Sequence, residues 1–307
     1  MDNPKERHKE IVVVFGANGF LGSVITKKLH SSGIDVLAVI RPKANKFRLA
    51  DLENLNVLEV ESSEWPQIVN EYSPNVIICA QWNGVLKQDR GNLELQKSNI
   101  EPILNIAAAA KDSRTESFIC FGSQAEAKES TEPITEEFYD SGESAYGNTK
   151  TKLHKHLASL FEDSDCRFIW ARVFSVYGPS DFSDSLLMRL FKSQSSSDKL
   201  EILNPSKFWS FLYEDDFASA IEQILQNPTI KNTINIGSPK FYEIREIVAI
   251  WKGSIAADLV DSEASSTNLG FFPDLTKLKA IGWSPTIALE EGIERTRKAF
   301  SERVETK

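Results

Sequence analysis

Little in this chain suits metal or disulfide chemistry. It has three cysteines and four histidines in 307 residues. Cys79, Cys120 and Cys166 are odd in number and lack metal-site spacing. Cys79 and Cys120 lie in apolar, strand-like runs, so all three are expected to be reduced thiols of a cytoplasmic protein. His154 and His156 are two residues apart and cannot share a helix face, and no metal is expected. No apolar run approaches the roughly 18 residues of a membrane span. The charged start, MDNPKERHKE, leads into an apolar run too short and glycine-broken for a signal peptide. Positive charge is also scarce. A net charge of −9 argues against nucleic acid as the main partner. The remaining composition, 41% hydrophobic and 26% charged, is that of a globular chain. Its length suits one large domain or two joined ones, and no internal repeat is visible.

What is present is organised around IVVVFGANGFLG, residues 11–22. The β-branched run from Ile11 to Phe15 reads as a strand buried on both faces of a parallel sheet. Gly16, Gly19 and Gly22 follow, then a helical pattern with Leu21, Val24, Ile25 and Leu29 on one side. Strand, glycine turn and helix in that order predict a pyrophosphate cradle at the helix N-terminus. A second strand, Val36 to Ile40, ends at Arg41. An acid at that point would bond a ribose 2′-hydroxyl, whereas an arginine suits a 2′-phosphate. With Lys43 and Lys46 nearby, the loop favours NADP over NAD.

Further strands are expected at Asn56–Val60, Val76–Ala80, Phe118–Phe121 and Arg167–Phe174. Ligands bind outside the carboxyl ends of such strands. Trp82 and Asn83 follow the fourth strand, and Trp82 reads as either a wall over the cofactor or a loop anchor. One long helix is expected from Asn92 to Lys111, with Asn99 inside it, where Asn is a poor helix former. Ser123 and Gln124 follow the fifth strand. Tyr146 and Lys150 are i, i+4 on a helix running to about Phe161, and so share a face. Beyond Asp181 the pattern predicts a helix at 186–191, strands at 200–203 and 208–213, and a helix from Phe217 capped by Asp215 and Asp216. A strand at 233–236, helices at 244–251 and about 274–282, and a terminal helix from Ile287 to Phe300 complete the chain.

The glycine cradle, Ser123, and Tyr146 with Lys150 fall at one edge of the sheet. GANGFLG, YGNTK, RVFSVYGP, FLYEDD, INIG and PDLTKLKAIGW follow in the same order. Together they resemble the short-chain dehydrogenase/reductase superfamily, in its extended branch of nucleotide-sugar epimerases, dehydratases and reductases. The resemblance covers nearly the whole chain. It implies a Rossmann-like, doubly wound α/β sheet (residues 1–177 and 208–240) with a smaller C-terminal α/β substrate-binding domain (178–207 and 241–307). Tyr146, Ser123, Lys150 and Asn99 are then the expected catalytic residues. A tyrosine of pKa about 10 needs help to exchange a proton near neutrality. A lysine at about 4 Å supplies roughly 4 kcal/mol at an effective dielectric near 20, or about three pKa units. Ser123 would hold the substrate oxygen, Lys150 also the nicotinamide ribose, and Asn99 would complete a proton relay. The cofactor is expected on Gly16, Asn18, Gly19, Phe20, Leu21 and Gly22 of the cradle. Arg41, Ala80, Trp82, Tyr146, Lys150, Val173 and Ser175 would complete its site.

Departures from the family pattern narrow the reaction. Family dehydratases carry Asp-Glu directly after the Ser/Thr; Gln124 and Ala125 stand there, and Glu126 is one residue late. Family epimerases usually hold NAD through an acid where Arg41 stands. What remains is reduction of a nucleotide-activated 4-keto-6-deoxy sugar by NADPH, as in reductases that WNGV and QDRGNLELQKSNI look like. Epimerisation and non-catalytic redox sensing are the alternatives. The substrate is expected on Trp82, Asn83, Gln124, Ser175, Arg189, Lys207 and Trp209, with Lys192 a further candidate for phosphate. Trp209 stands near an expected arginine, and 261–270 lacks the second. The resemblance also implies a homodimer through the helices bearing Asn99 and Tyr146.

Overall fold

A computed structural model describes residues 10–138, 143–181, 185–193, 200–251, 257–260 and 269–305. The apolar runs form a seven-stranded parallel sheet. Its members are β1 (Ile11–Phe15), β2 (Asp35–Ile40), β3 (Asn56–Glu59), β4 (Val76–Cys79), β5 (Ser117–Ser123), β6 (Arg167–Val173) and β11 (Asn232–Ile236). Their order is β11-β6-β5-β4-β1-β2-β3. Both faces are covered, which is why the strands show no alternation. On one face Val12, Val14, Ala38, Ile119 and Ile234 pack with α1 (Phe20–Ser31), α7 (Glu214–Gln226) and α9 (Thr276–Ala280). On the other, Val13, Phe15, Ile77, Phe118 and Trp170 meet α2 (Trp65–Tyr72), α4 (Ile100–Lys111) and α5 (Ala145–Leu160).

A third apolar cluster lies in the C-terminal part, around Tyr177, Leu190, Tyr213, Ile247, Trp251 and Ile293. It joins β7 (Val176–Tyr177), α6 (Leu186–Ser193), β10 (Leu212–Tyr213), α8 (Ile244–Ile250) and α10 (Leu289–Glu305). Beside it β8 (Leu200–Leu203) pairs with β13 (Ala257–Val260), and β9 (Phe208–Trp209) pairs with β12 (Tyr242–Glu243). The expected loops at 194–197 and 261–268 lie outside the described residues, as does the side chain of Lys192.

Four local expectations are corrected. The helix expected over 92–111 is two helices, α3 (Leu93–Lys97) and α4, broken at Ser98 and Asn99. The Asn99 amide donates to the Leu95 and Gln96 carbonyls at 3.0 and 3.1 Å, taking acceptors a continuous helix would use. The single strand expected at 208–213 is β9 and β10, which pair with different partners. Asp215 and Asp216 do not cap α7, which begins at Glu214 after Tyr213. The Asp216 carboxylate instead accepts from Thr286 N–H and hydroxyl, both at 2.9 Å, and from Ile287 N–H at 3.0 Å. Finally, α2 carries no long apolar period and was not expected; Pro66 opens it.

Candidate active site

Strand order reverses between β1 and β4, and a cleft opens there at the carboxyl edge of the sheet. The glycine turn forms one wall. Gly16 adopts φ +81°, and a Cβ on it would meet Gln81 backbone at 2.7 Å. A Cβ on Gly22 would lie 2.2 Å from the Gly16 carbonyl oxygen. Gly19 differs: its only contact within 4 Å would be that same oxygen, at 3.2 Å. The fold itself therefore demands Gly16 and Gly22, whereas Gly19 answers to what approaches the cleft. Gly19 is also the N-cap of α1, with no side-chain cap and no acid in the first turn. The first-turn N–H groups, without intrahelical acceptors, and the positive helix end stand at the cleft wall with Phe20 and Leu21.

Two donors of the cleft wall, Gln81 Nε2 and Trp65 Nε1, are buried without a protein partner. Buried donors are rarely left so, and a ligand acceptor would satisfy them. A dinucleotide therefore fits this wall on its anion-binding turn and on its orphaned donors. Neither Gln81 nor Trp65 was expected here, and nor was Arg48. Arg48 lines the cleft and donates to Ser180 O at 2.7 Å and Asn18 O at 3.3 Å. The position of Gln81 two residues past the carboxyl end of β4 was the one available signal. At the ribose end Arg41 is exposed and lines the cleft. Lys46 pairs with Glu59, and this hydrogen bond draws the Glu59 carboxyl below its ordinary range.

Asn18, Ala80, Trp82 and Asn83 line the same cleft, and so do Tyr146 and Lys150 from α5. Ser144 caps this helix through Gly147 N–H at 3.1 Å. Tyr146 is buried, with its N–H donating to Arg90 O at 3.0 Å and its ring edge-on to Trp82 at 5.9 Å. Lys150 Nζ donates to Phe121 O at 2.7 Å and stands 3.7 Å from the Trp82 ring centroid. Trp82 is both wall and anchor, since its Nε1 also donates to Gln96 Oε1 at 2.8 Å. Ser123 ends β5 directly after the lining residues Phe121 and Gly122. Its Oγ accepts from Ala125 N–H at 3.2 Å, which leaves the hydroxyl proton for another acceptor.

Glu126 is turned away from this chemistry. It is buried, accepting from Ser123 N–H at 2.6 Å, Trp170 Nε1 at 2.9 Å and Arg172 Nε at 3.4 Å. Burial pushes its carboxyl above the ordinary range, against the pull of Arg172. Gln124, Ser175 and Trp209 form a separate chain. Ser175 Oγ donates to Gln124 Oε1 at 3.0 Å and accepts from Trp209 Nε1. Lys207 lies 5.4 Å from the Trp209 ring centroid, its charge met by Glu129. Arg189 is exposed on α6. Gly22, Asn99, Ser123, Val173 and Ser175 do not line the cleft: Gly22 packs on Gly16, and Val173 lies beside Ser123 in the sheet register, just past the lining residue Gly122. Among the described residues no group of three His, Cys, Asp or Glu side chains is placed to hold a metal. Nor is any described helix long and apolar enough to cross a membrane.

The family model described as "NAD dependent epimerase/dehydratase family" matches residues 12–237. GDP-L-fucose synthase of Sinorhizobium fredii is 24% identical over 313 residues, covering 95% of this chain and 95% of its own. CDP-abequose synthase of Salmonella muenchen is 22% identical over 306 residues, covering 92% and 96%. Among solved structures, UDP-glucuronic acid 4-epimerase of Bacillus cereus in complex with NAD superposes with a TM-score of 0.83. It is 19% identical, with 97% of this chain and 98% of that one covered.

Proposed function

The chain belongs to the NAD dependent epimerase/dehydratase family of the extended short-chain dehydrogenase/reductases, and on that premise we propose that it reduces a nucleotide-activated 4-keto-6-deoxy sugar with NADPH. One observation carries the reading: a single cleft holds the glycine cradle, Arg41, Tyr146 and Lys150, while Glu126, the nearest acid after Ser123, is buried against Arg172. That leaves the site a proton donor for reduction and, among the described lining residues, no second acid for elimination.

A nicotinamide cofactor, when bound, supplies the hydride. Gly19 and the N-terminus of α1 would hold its pyrophosphate, Arg41 the phosphate on its ribose, and Gln81 and Trp65 further acceptors. Ser123 directs its free hydroxyl proton at the substrate carbonyl oxygen and fixes it. Tyr146 gives that oxygen its proton. Lys150, one turn along α5 from Tyr146, donates to Phe121 O, and the Trp82 ring walls the site. Asn99 is better read as the clamp of the loop at Asn83 than as a proton relay. Gln124, Ser175 and Trp209 are assigned to the sugar, and Arg189 and Lys207 to the outer part of the nucleotide. The C-terminal cluster around Tyr177 and Trp251 is taken as the core of a substrate lobe. A homodimer through α4 and α5, in the cytoplasm, belongs to the same reading.

The test is oxidation of NADPH by the purified protein with a panel of nucleotide 4-keto-6-deoxy sugars. Turnover with one or more is expected. Cofactor binding without turnover on any of them overturns the reading. An epimerase with tightly held NAD is the second reading. The pairing of Lys46 with Glu59 favours it, because it removes one cation from the ribose end. Sugar isomerisation without net consumption of NADPH would select it.

A further inference from the structure

Glu126 has no part in the reaction as an acid, yet the structure is built around its carboxylate. Ser123 and Glu126 hold each other across the short 3-10 turn Gln124–Glu126. Glu126 Oε1 accepts the Ser123 N–H at 2.6 Å, and the Ser123 Oγ accepts the Ala125 N–H at 3.2 Å. Glu126 Oε2 accepts from Trp170 Nε1 at 2.9 Å and from Arg172 Nε at 3.4 Å. Both oxygens face donors, which is the pattern of an ionised carboxylate. Arg172 is fully buried and fixed in turn, with Nη1 donating to Thr135 O at 3.0 Å and Nη2 to Phe138 O at 3.1 Å. Gly122 leaves the space these groups need. A Cβ there would lie 2.3 Å from Trp170 Nε1 and 2.6 Å from Glu126 Oε1. A buried ion pair adds little stability over apolar residues of like volume. What this one supplies is a fixed acceptor for a single backbone N–H, that of Ser123.

We propose that Glu126 is a positioning residue that acts through Ser123: its buried carboxylate fixes the Ser123 backbone, so that the hydroxyl meets the substrate oxygen in one orientation. This rests on the reading of Ser123 as the group that holds the substrate carbonyl. With one lone pair of its oxygen engaged by Ala125, the hydroxyl keeps its proton for that carbonyl. A misplacement of about 1 Å in such a group is enough to cost on the order of a hundredfold in rate. Trp170 and Arg172 act one step further out, by holding Glu126 in place.

The test has two readouts, and the first needs neither substrate nor cofactor. In protein carrying 13C in glycine carbonyls and 15N in serine, the Ser123 amide is selected through its bond to Gly122 and identified by its loss in Ser123→Ala. A short hydrogen bond to a carboxylate draws an amide proton downfield. Glu126→Gln, which loses the charge, should move this proton upfield. Glu126→Asp keeps the charge but is one methylene short, and should move it the same way; circular dichroism checks that each variant is folded. The second readout is kinetic, on a sugar that the protein reduces. Glu126→Gln should lower kcat about tenfold and leave KM for NADPH unchanged. In the Ser123→Ala background the same substitution should lower kcat no further, because residues acting as a unit are not additive. A merely structural role would lower kcat in both backgrounds alike, and that result overturns the inference. An unchanged kcat or an unmoved Ser123 amide overturns it too. A moved amide in a protein that reduces no sugar upholds the grip of Glu126 on Ser123 while the proposed reaction fails.

Discussion

Asn99 grips the backbone of Asn83 on both sides: Oδ1 accepts its N–H at 2.7 Å, and Nδ2 donates to its carbonyl at 3.1 Å. The side chain is buried, and the same Nδ2 reaches the Leu95 and Gln96 carbonyls. One amide therefore ties the loop after β4 to the break between α3 and α4. An aspartate there keeps the acceptor but sets a carboxylate against three carbonyl oxygens. Asn99→Asp should lose about 1–3 kcal/mol of stability, the cost of buried polar groups left unpaired. Chemical denaturation measures it. A midpoint equal to wild type would mean that the grip holds nothing.

The glycine turn separates packing from binding within seven residues. Gly16→Ala and Gly22→Ala both place a methyl group against backbone, at 2.7 and 2.2 Å, and should lower the unfolding temperature. Gly19→Ala meets only one oxygen at 3.2 Å and should keep the fold nearly intact. Its methyl group would stand where a pyrophosphate approaches, so affinity for NADPH should fall about tenfold or more, or roughly 1.4 kcal/mol. Fluorescence titration with the cofactor reads this. Gly19→Ala binding as tightly as wild type would refute the cradle.

Much of the framework was legible because its signals are local. Runs such as Val12 to Phe15 and Val36 to Ile40 are apolar on both faces, and only a covered parallel sheet explains that. Tyr146 and Lys150 needed no more than helical spacing to be placed on one face. The site residues that escaped notice come from loops whose neighbours are distant in sequence. Arg48 reaches the cleft by bonding Ser180, 132 residues on, and Trp65 arrives on a two-turn helix. The loop from Asn83 to Asp89 is held by the side chains of Gln96 and Asn99, and the Asn99 bonds to Leu95 and Gln96 carbonyls also split the expected helix. Asp216 looked like a cap because it opens a helix, but its acceptors serve Thr286 and Ile287, some 70 residues away. Propensity cannot foresee such bonds, since tertiary partners decide them.

Glu214 makes the stability of the cleft rim depend on pH. It opens α7 and is buried, and its carboxylate accepts Ser180 N–H at 2.9 Å and the Ser180 hydroxyl at 3.0 Å. Ser180 in turn offers its carbonyl to Arg48 in the cleft wall. Burial pushes the Glu214 carboxyl up from 4.5 to about 7, against the pull of the Ser180 hydrogen bonds. The folded protein thus holds this proton more tightly than the unfolded chain does. Its contribution to stability is full below pH 4.5 and is lost as pH rises through about 7. At about 1.4 kcal/mol per unit the loss is on the order of 3 kcal/mol. Glu214→Gln removes the titration while keeping an acceptor for Ser180. Measured by denaturation across that window, the variant should gain on wild type steadily as pH rises, because every other titrating group is common to both. A difference that stays flat with pH would show that Glu214 does not hold its proton in the fold.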